Sequence, residues 1–143
     1  MKILIVGVGK IGSTLLSGLV SEGHDVVAID SSAVVLEQVA NVYDVMSLCG
    51  NGADSDVLEE AGARDADLFI AVTGSDEFNM LACFLAKRMG AKHTIARIRT
   101  DYVHEQQARY RTAIADLEQR IASASTSERV KLSKRLKTLQ EQA

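Results

Sequence analysis

The chain has 143 residues, 47% of them hydrophobic, with a formal charge of −3 and a pI near 5.6. That is enough apolar material for one domain with a real core, and the acidic balance argues against a general nucleic-acid binder, which carries a basic stripe. No apolar run approaches the roughly 18–20 residues of a membrane span.

Residues 2–30 read KILIVGVGKIGSTLLSGLVSEGHDVVAID. Lys2–Val6 is a first strand that runs into Gly7-x-Gly9-x-x-Gly12. Gly7 permits the tight turn, Gly9 lets a pyrophosphate approach the backbone, and Gly12 lets the next helix pack closely on the strand. That helix spans Ile11–Ser21, with Leu15, Leu16, Leu19 and Val20 inward. Its first turn offers unpaired N–H groups and the positive end of its dipole to phosphates. Asp25–Ile29 is a second, doubly buried strand, ending in Asp30, an acceptor for ribose hydroxyls. Ser32 caps a helix whose apolar face is Val35, Leu36, Val39 and Ala40. Asp44–Cys49 is a third strand, and Asp54 or Ser55 opens a short helix to Ala61. Leu68–Val72 is a fourth strand, followed by Thr73-Gly74-Ser75, a helix over Asp76–Met89, and a fifth strand over His93–Ile98. Strands alternating with helices at these spacings give a parallel sheet. The expected fold is α/β, a Rossmann-like doubly wound sheet, occupying residues 1–100.

Residues 101–143 differ in kind. All ten glycines lie between Gly7 and Gly90. Residues 1–100 carry 8 basic and 13 acidic side chains (net −5), and residues 101–143 carry 8 basic and 6 acidic (net +2). Ile114, Leu117, Ile121 and Ala124 fall on one helical face that extends back to Ala108 or Tyr110. Ser125-x-x-Glu128 reads as a capping box for a second helix carrying Val130, Leu132, Leu136 and Leu139. Two seams joined by a Ser/Thr turn predict a helical hairpin, with one unbroken helix as the alternative, and a partner chain to cover them. The charges of this segment are read as a solvated face.

In an open α/β sheet ligands bind outside the carboxyl ends of the strands, where strand order reverses. The loops there supply the candidate nucleotide-binding residues. After the first strand come Gly7, Val8, Gly9, Lys10, Ile11 and Gly12, with Lys10 either a phosphate partner or an exposed lysine. Asp30 and Ser31 follow the second strand. Asp30 favours free ribose hydroxyls and repels a 2′-phosphate, which leaves NAD, ATP and ADP and disfavours NADP. Gly50, Asn51, Gly52 and Ala53 follow the third strand, either against an adenine or as an ordinary turn. Thr73 and Gly74 follow the fourth. Arg97 and Arg99, two apart on the fifth strand, project to one side of the pleat and suit phosphates or a salt-bridge pair.

Catalysis and metal binding find little support. His24, His93 and His104 are scattered, no G-x-S-x-G or metal-ligand spacing is present, and no substrate domain follows. Cys49 and Cys83 are expected to be buried reduced thiols, with a disulfide or redox pair as the alternative. The chain enters its first strand without a leader-like segment, so a cytoplasmic location is expected.

The segments KILIVGVGKIGSTL, VVAIDSS, the stretch from Cys49-Gly50-Asn51-Gly52 to DVLEEAGARDADLFIAVTGSDEFNMLAC, and IARIRTDYV resemble the KTN (RCK N-terminal, TrkA-N) domain of Trk/Ktr-type potassium-uptake regulatory subunits. The resemblance covers about residues 1–103 in unbroken order. It implies a cytoplasmic regulator without enzymatic activity, bound to a membrane potassium transporter subunit and peripheral to the inner face of the membrane. It further implies binding of NAD(H), with ATP/ADP as the competing ligand, and assembly into dimers or rings. On this chain Gly7, Gly9 and Gly12 would meet phosphates and Asp30 the ribose. Asn51 and Gly52 would lie by the adenosine, Thr73 and Gly74 along the far side, and Arg97 or Arg99 near phosphate charge. Residues 104–143 depart from the family, whose members continue into a C-terminal lobe of mixed strands and helices. The alternative from another class is the cofactor-binding domain of an NAD-dependent oxidoreductase. A Rossmann-type redox-sensing transcription factor would require a recognition element, for which Ser125–Gln142 is the only candidate.

Overall fold

The computed structural model describes residues 1–142, less the side chains of residues 100, 102 and 103. Within residues 1–98, five strands form one parallel sheet: β1 (Lys2–Val6), β2 (Asp25–Asp30), β3 (Met46–Cys49), β4 (Leu68–Ala71) and β5 (His93–Ala96), in the order β3-β2-β1-β4-β5. The four helices that follow the first four strands are α1 (Lys10–Ser21), α2 (Ala33–Ala40), α3 (Ser55–Ala61) and α4 (Asp76–Met89). Register is continuous across the sheet, with Leu4 opposite both Val27 and Phe69. Strand order therefore reverses at β1, between β2 and β4, which is where a doubly wound sheet opens a crevice.

The apolar runs on the central strands follow from burial on both faces, alternate residues going to alternate sides. Ile3, Ile5, Val26, Ala28 and Ile70 pack with Leu16 of α1 and with Leu36 and Val39 of α2. Leu4, Val6, Val27, Ile29, Phe69 and Ala71 pack with Leu58 and Ala61 of α3 and with Ala82, Cys83 and Ala86 of α4. Two expected core positions lie outside: Leu15 is 38% exposed, and Ala40, at the last turn of α2, is also exposed. Each sits at the margin of its helix's apolar stripe, where Leu16 and Val39 face the sheet. The edge strands are shorter than their apolar runs suggest. β3 begins at Met46 and β5 ends at Ala96, and β4 ends at Ala71, one short of Val72; these are the residues where the paired register starts or stops.

At the amino-terminal edge of the sheet, Asp67 accepts the Lys2 backbone N–H (2.8 Å) and pairs with the Lys92 ammonium (2.7 Å). The Lys92 hydrogen bond, and then the Lys2 N–H, hold the Asp67 carboxyl below the usual carboxylate range.

Residues 99–142 form a second compact unit of two helices, α5 (Thr100–Ser123) and α6 (Thr126–Gln142), which pack against each other. The helix breaks at Ala124–Ser125, so the hairpin, and not one continuous helix, is formed. The Glu128 carboxylate accepts from both the Ser125 N–H (3.4 Å) and its hydroxyl (3.1 Å), the reach-back half of a capping box. Leu117 is buried, while Ile114 and Ile121 on α5 and Leu132, Leu136 and Leu139 on α6 are half-buried. Val130 lies off this seam at 58% exposure, and Tyr110, not Ala108, continues it toward the start of α5. No residue of α6 is buried. Ala143 lies outside the described residues.

Candidate functional site

The crevice at the reversal of strand order holds a cavity of about 510 Å³. Gly7, Gly9, Lys10 and Ile11 line it from the β1 side, Asp30 and Ser31 from β2, and Gly50 and Gly52 from β3. The far wall is Val72, Thr73, Gly74, Phe78 and Arg97. All belong to the first compact unit.

The glycine loop is built as its spacing requires. Gly7 has φ +90°, and a Cβ there would come within 2.9 Å of the Thr73 side chain; its N–H is donated to the Ile29 carbonyl (2.9 Å). A Cβ on Gly12 would overlap the Gly7 carbonyl, whereas one on Gly9 would meet nothing within 4 Å. Gly12 therefore allows the contact between helix and loop, and Gly9 keeps the mouth of the cavity open.

Its helix start distinguishes α1 from α2, α3 and α4. Ser32, Asp54 and Ser75 each accept a backbone N–H of the helix they open. Gly9, at the N-cap of α1, has no side chain to do so. The first-turn N–H groups of α1 thus face the cavity without a side-chain acceptor, with Lys10 exposed at the same edge. That arrangement suits an anion.

Asp30 is more than an exposed acid. One carboxylate oxygen accepts the Val8 N–H (2.9 Å) and the other the Ser32 N–H (2.9 Å), tying the glycine loop to the end of β2. A carboxylate has about four lone-pair directions, so capacity remains for hydroxyl donors from the cavity.

Opposite, Asn79 is fully buried. Its Oδ1 accepts the Thr73 N–H (2.9 Å) and the Thr73 hydroxyl (2.6 Å), and its Nδ2 donates to the carbonyls of Thr73 (3.1 Å) and Arg97 (3.0 Å). Both walls of the far side are held by one amide.

Of the residues expected at the site, Gly7, Gly9, Lys10, Ile11, Asp30, Ser31, Gly52, Thr73, Gly74 and Arg97 line the cavity. Five do not. Val8 is buried in the core and contributes only its N–H, and Gly12 is buried beneath the loop. Asn51 is exposed, its Oδ1 accepting the Ala53 N–H (2.8 Å), which is the ordinary-turn reading; Ala53 packs on the core. Arg97 and Arg99 do not share a strand face, because β5 ends at Ala96. Arg97 follows the strand, half-buried, while Arg99 is the exposed N-cap residue of α5 in the second unit. Gly50, expected in the loop after β3, lines the cavity as well, and so do Val6, Val72 and Phe78, which the sequence reading did not place there. Val6 and Val72 sit where strands end, the position rule already in hand; Phe78 lies in the first turn of α4, where no strand-end signal reaches.

The cysteines divide. Cys83 is buried, its thiol 3.3 Å from the Ile95 carbonyl, and burial raises it above the usual thiol range. Cys49, expected to be buried, is exposed at the end of edge strand β3, and both are free thiols. Among the described residues no cluster of three or more His, Cys, Asp or Glu is placed to hold a metal ion, and no helix is long and apolar enough to cross a membrane.

Comparison with known proteins gives this geometry a family. The TrkA-N domain model matches residues 3–117, past the residue 103 reached by the motifs and into α5. The Trk system potassium uptake protein TrkA of Vibrio alginolyticus is 39% identical over 124 residues, which is 85% of this chain and 27% of that protein. The TrkA homolog of Methanothermobacter thermautotrophicus is 41% identical over 98 residues, 68% of this chain and 45% of that one. The chain thus spans less than half the length of these relatives. Among solved structures, the NAD(P)-binding domain of an exopolyphosphatase-related protein from Archaeoglobus fulgidus aligns with a TM-score of 0.61 at 15% identity, covering 74% of this chain and 80% of that one. The Kef C-terminal domain of Shewanella denitrificans in AMP-bound form aligns with a TM-score of 0.61 at 19% identity, covering 99% and 92%. These likenesses establish the Rossmann-like fold. By its sequence and its fold, the chain belongs to the TrkA-N family.

Proposed function

We propose that the chain is the nucleotide-sensing part of a potassium-uptake regulator, with residues 1–100 as the binding domain and 101–143 as an assembly element. The carrying observation is one cavity that joins an uncapped helix start over the glycine loop, the Asp30 carboxylate, and Arg97 on the opposite wall. A nucleotide's phosphates fit the α1 N-terminus and Arg97; its ribose hydroxyls fit the remaining acceptor capacity of Asp30. The adenosine lies toward Gly50 and Gly52, where a Cβ on Gly52 would overlap Val6 and the surface is backbone. NAD(H), ATP and ADP all meet these requirements. The carboxylate opposes the 2′-phosphate of NADP.

The uptake role is supported by the names of the relatives above. In this reading the protein works in the cytoplasm, beside a membrane transporter subunit, as a homo-oligomer. Ligands differing in charge and length would bias two arrangements of such an assembly, because only differential contacts shift an equilibrium. No catalytic step is assigned. The titratable side chains lining the cavity are Lys10, Asp30 and Arg97, and the binding reading uses all three. Calorimetric titration with NADH, NAD, ATP and ADP tests the reading: micromolar binding of at least one is expected, and silence from all four overturns it.

A further inference from the structure

We infer that Asn79, which lines no part of the cavity, is the residue that positions Arg97 and the Thr73–Gly74 loop for a phosphate chain; this rests on the nucleotide-binding reading above. Asn79 is an amide with no exposed surface in the first turn of α4. Its side chain makes four hydrogen bonds, none to its own helix, and all go to the cavity's far wall. The acceptor end grips Thr73 at the exit of β4. The donor end grips the carbonyls of Thr73 and Arg97.

Structural need alone does not account for where those bonds go. β4 and β5 are paired from Leu68–His93 to Ala71–Ala96, and the Arg97 N–H is donated to the Ala71 carbonyl (2.9 Å). Beyond that point the Arg97 carbonyl is held by Asn79. Thr73 lies at the same level on the neighbouring strand, and its N–H, which the ladder does not take, is donated to the same side chain. One amide thus carries the β4–β5 pairing one step past the sheet, into the two segments that face the α1 N-terminus. Its two ends are not interchangeable, since Oδ1 only accepts and Nδ2 only donates. A site that must hold developing or fixed charge needs its donors locked by a supporting shell. Asn79 supplies that lock for the backbone of Arg97, which carries the cavity's one guanidinium.

A double-mutant cycle in the full chain tests this, with Asn79→Ala, Arg97→Gln and the double variant titrated with ADP and with adenosine. Asn79→Ser, which keeps a polar group in the pocket, is the second variant where the alanine form does not fold. Removing Asn79 is expected to weaken ADP about tenfold, the scale of one charge-assisted hydrogen bond, and to leave adenosine within about twofold. It is expected to have little further effect once Arg97 is gone, because the two act as one unit. Equal losses for adenosine and ADP, or losses that add to those of Arg97→Gln, would show Asn79 to be a structural residue only and overturn the inference. Failure of the unmodified chain to bind either ligand would overturn the nucleotide reading itself, and this inference with it.

Discussion

The two compact units are built on opposite economies of burial. In residues 1–98 every central strand is buried on both faces, and Phe69, Leu4 and Ile5 have no exposed surface. In residues 99–142 two helices of 24 and 17 residues bury one side chain among the described residues, Leu117. The first unit carries its own stability and can hold a site rigid. The second has a seam too thin for that, since helices of this kind depend on packing an apolar face. Its leucines on α6 are only half-buried.

Core truncation should separate the units most sharply. Phe69→Ala is expected to cost ~3–5 kcal/mol of the first unit's stability, read by chemical denaturation, and to abolish nucleotide binding with it. Leu117→Ala should lower the helical signal of the hairpin and leave the first unit's transition in place. Equal shifts in one transition would show the units to be a single cooperative body.

Cutting the chain after Ile98 is the next test. The fragment is expected to keep its nucleotide affinity within about twofold, since no cavity-lining residue lies beyond Arg97. It should also lose oligomeric mass by light scattering. Unchanged mass would show that the hairpin is not the assembly device.

Thiol labelling sharpens the contrast inside the first unit. Cys49 should react in the native protein and Cys83 only when the core opens, because burial keeps its thiol protonated. Rapid labelling of both without denaturant would contradict the core described above.

Acid should have the smallest effect. The Asp67 carboxyl is held low by Lys92, so its contribution is fully present above its unfolded value and is lost as pH falls through the lowered folded one. The first unit's melting temperature should drop slightly more steeply below about pH 4 than in Asp67→Asn. Identical slopes would remove the pair from the account.

Much of this molecule is legible in the sequence, for identifiable reasons. Period and punctuation gave the order of β1–α4, since buried parallel strands and glycine or serine boundaries leave strong local marks. The glycine loop and Asp30 were legible because their chemistry is fixed by spacing. What escaped depends on three-dimensional neighbours. Where β5 ends decides that Arg97 faces the cavity and Arg99 does not, and edge pairing sets that point. Asn51 reads as a ligand group until its turn to Ala53 is seen. The support role of Asn79 needs the approach of β4 and β5 ends, which no local pattern encodes. Cys49 looked buried because its neighbours are apolar, but it lies on an edge.

The central claim is that this crevice binds a nucleotide by its phosphates, and calorimetric titration of NADH and ADP into the full chain and its Arg97→Gln variant tests it most directly. The account predicts saturable binding by the unmodified chain and about tenfold weaker binding by the variant. Absence of binding by the unmodified chain, or equal affinity in both, would contradict it.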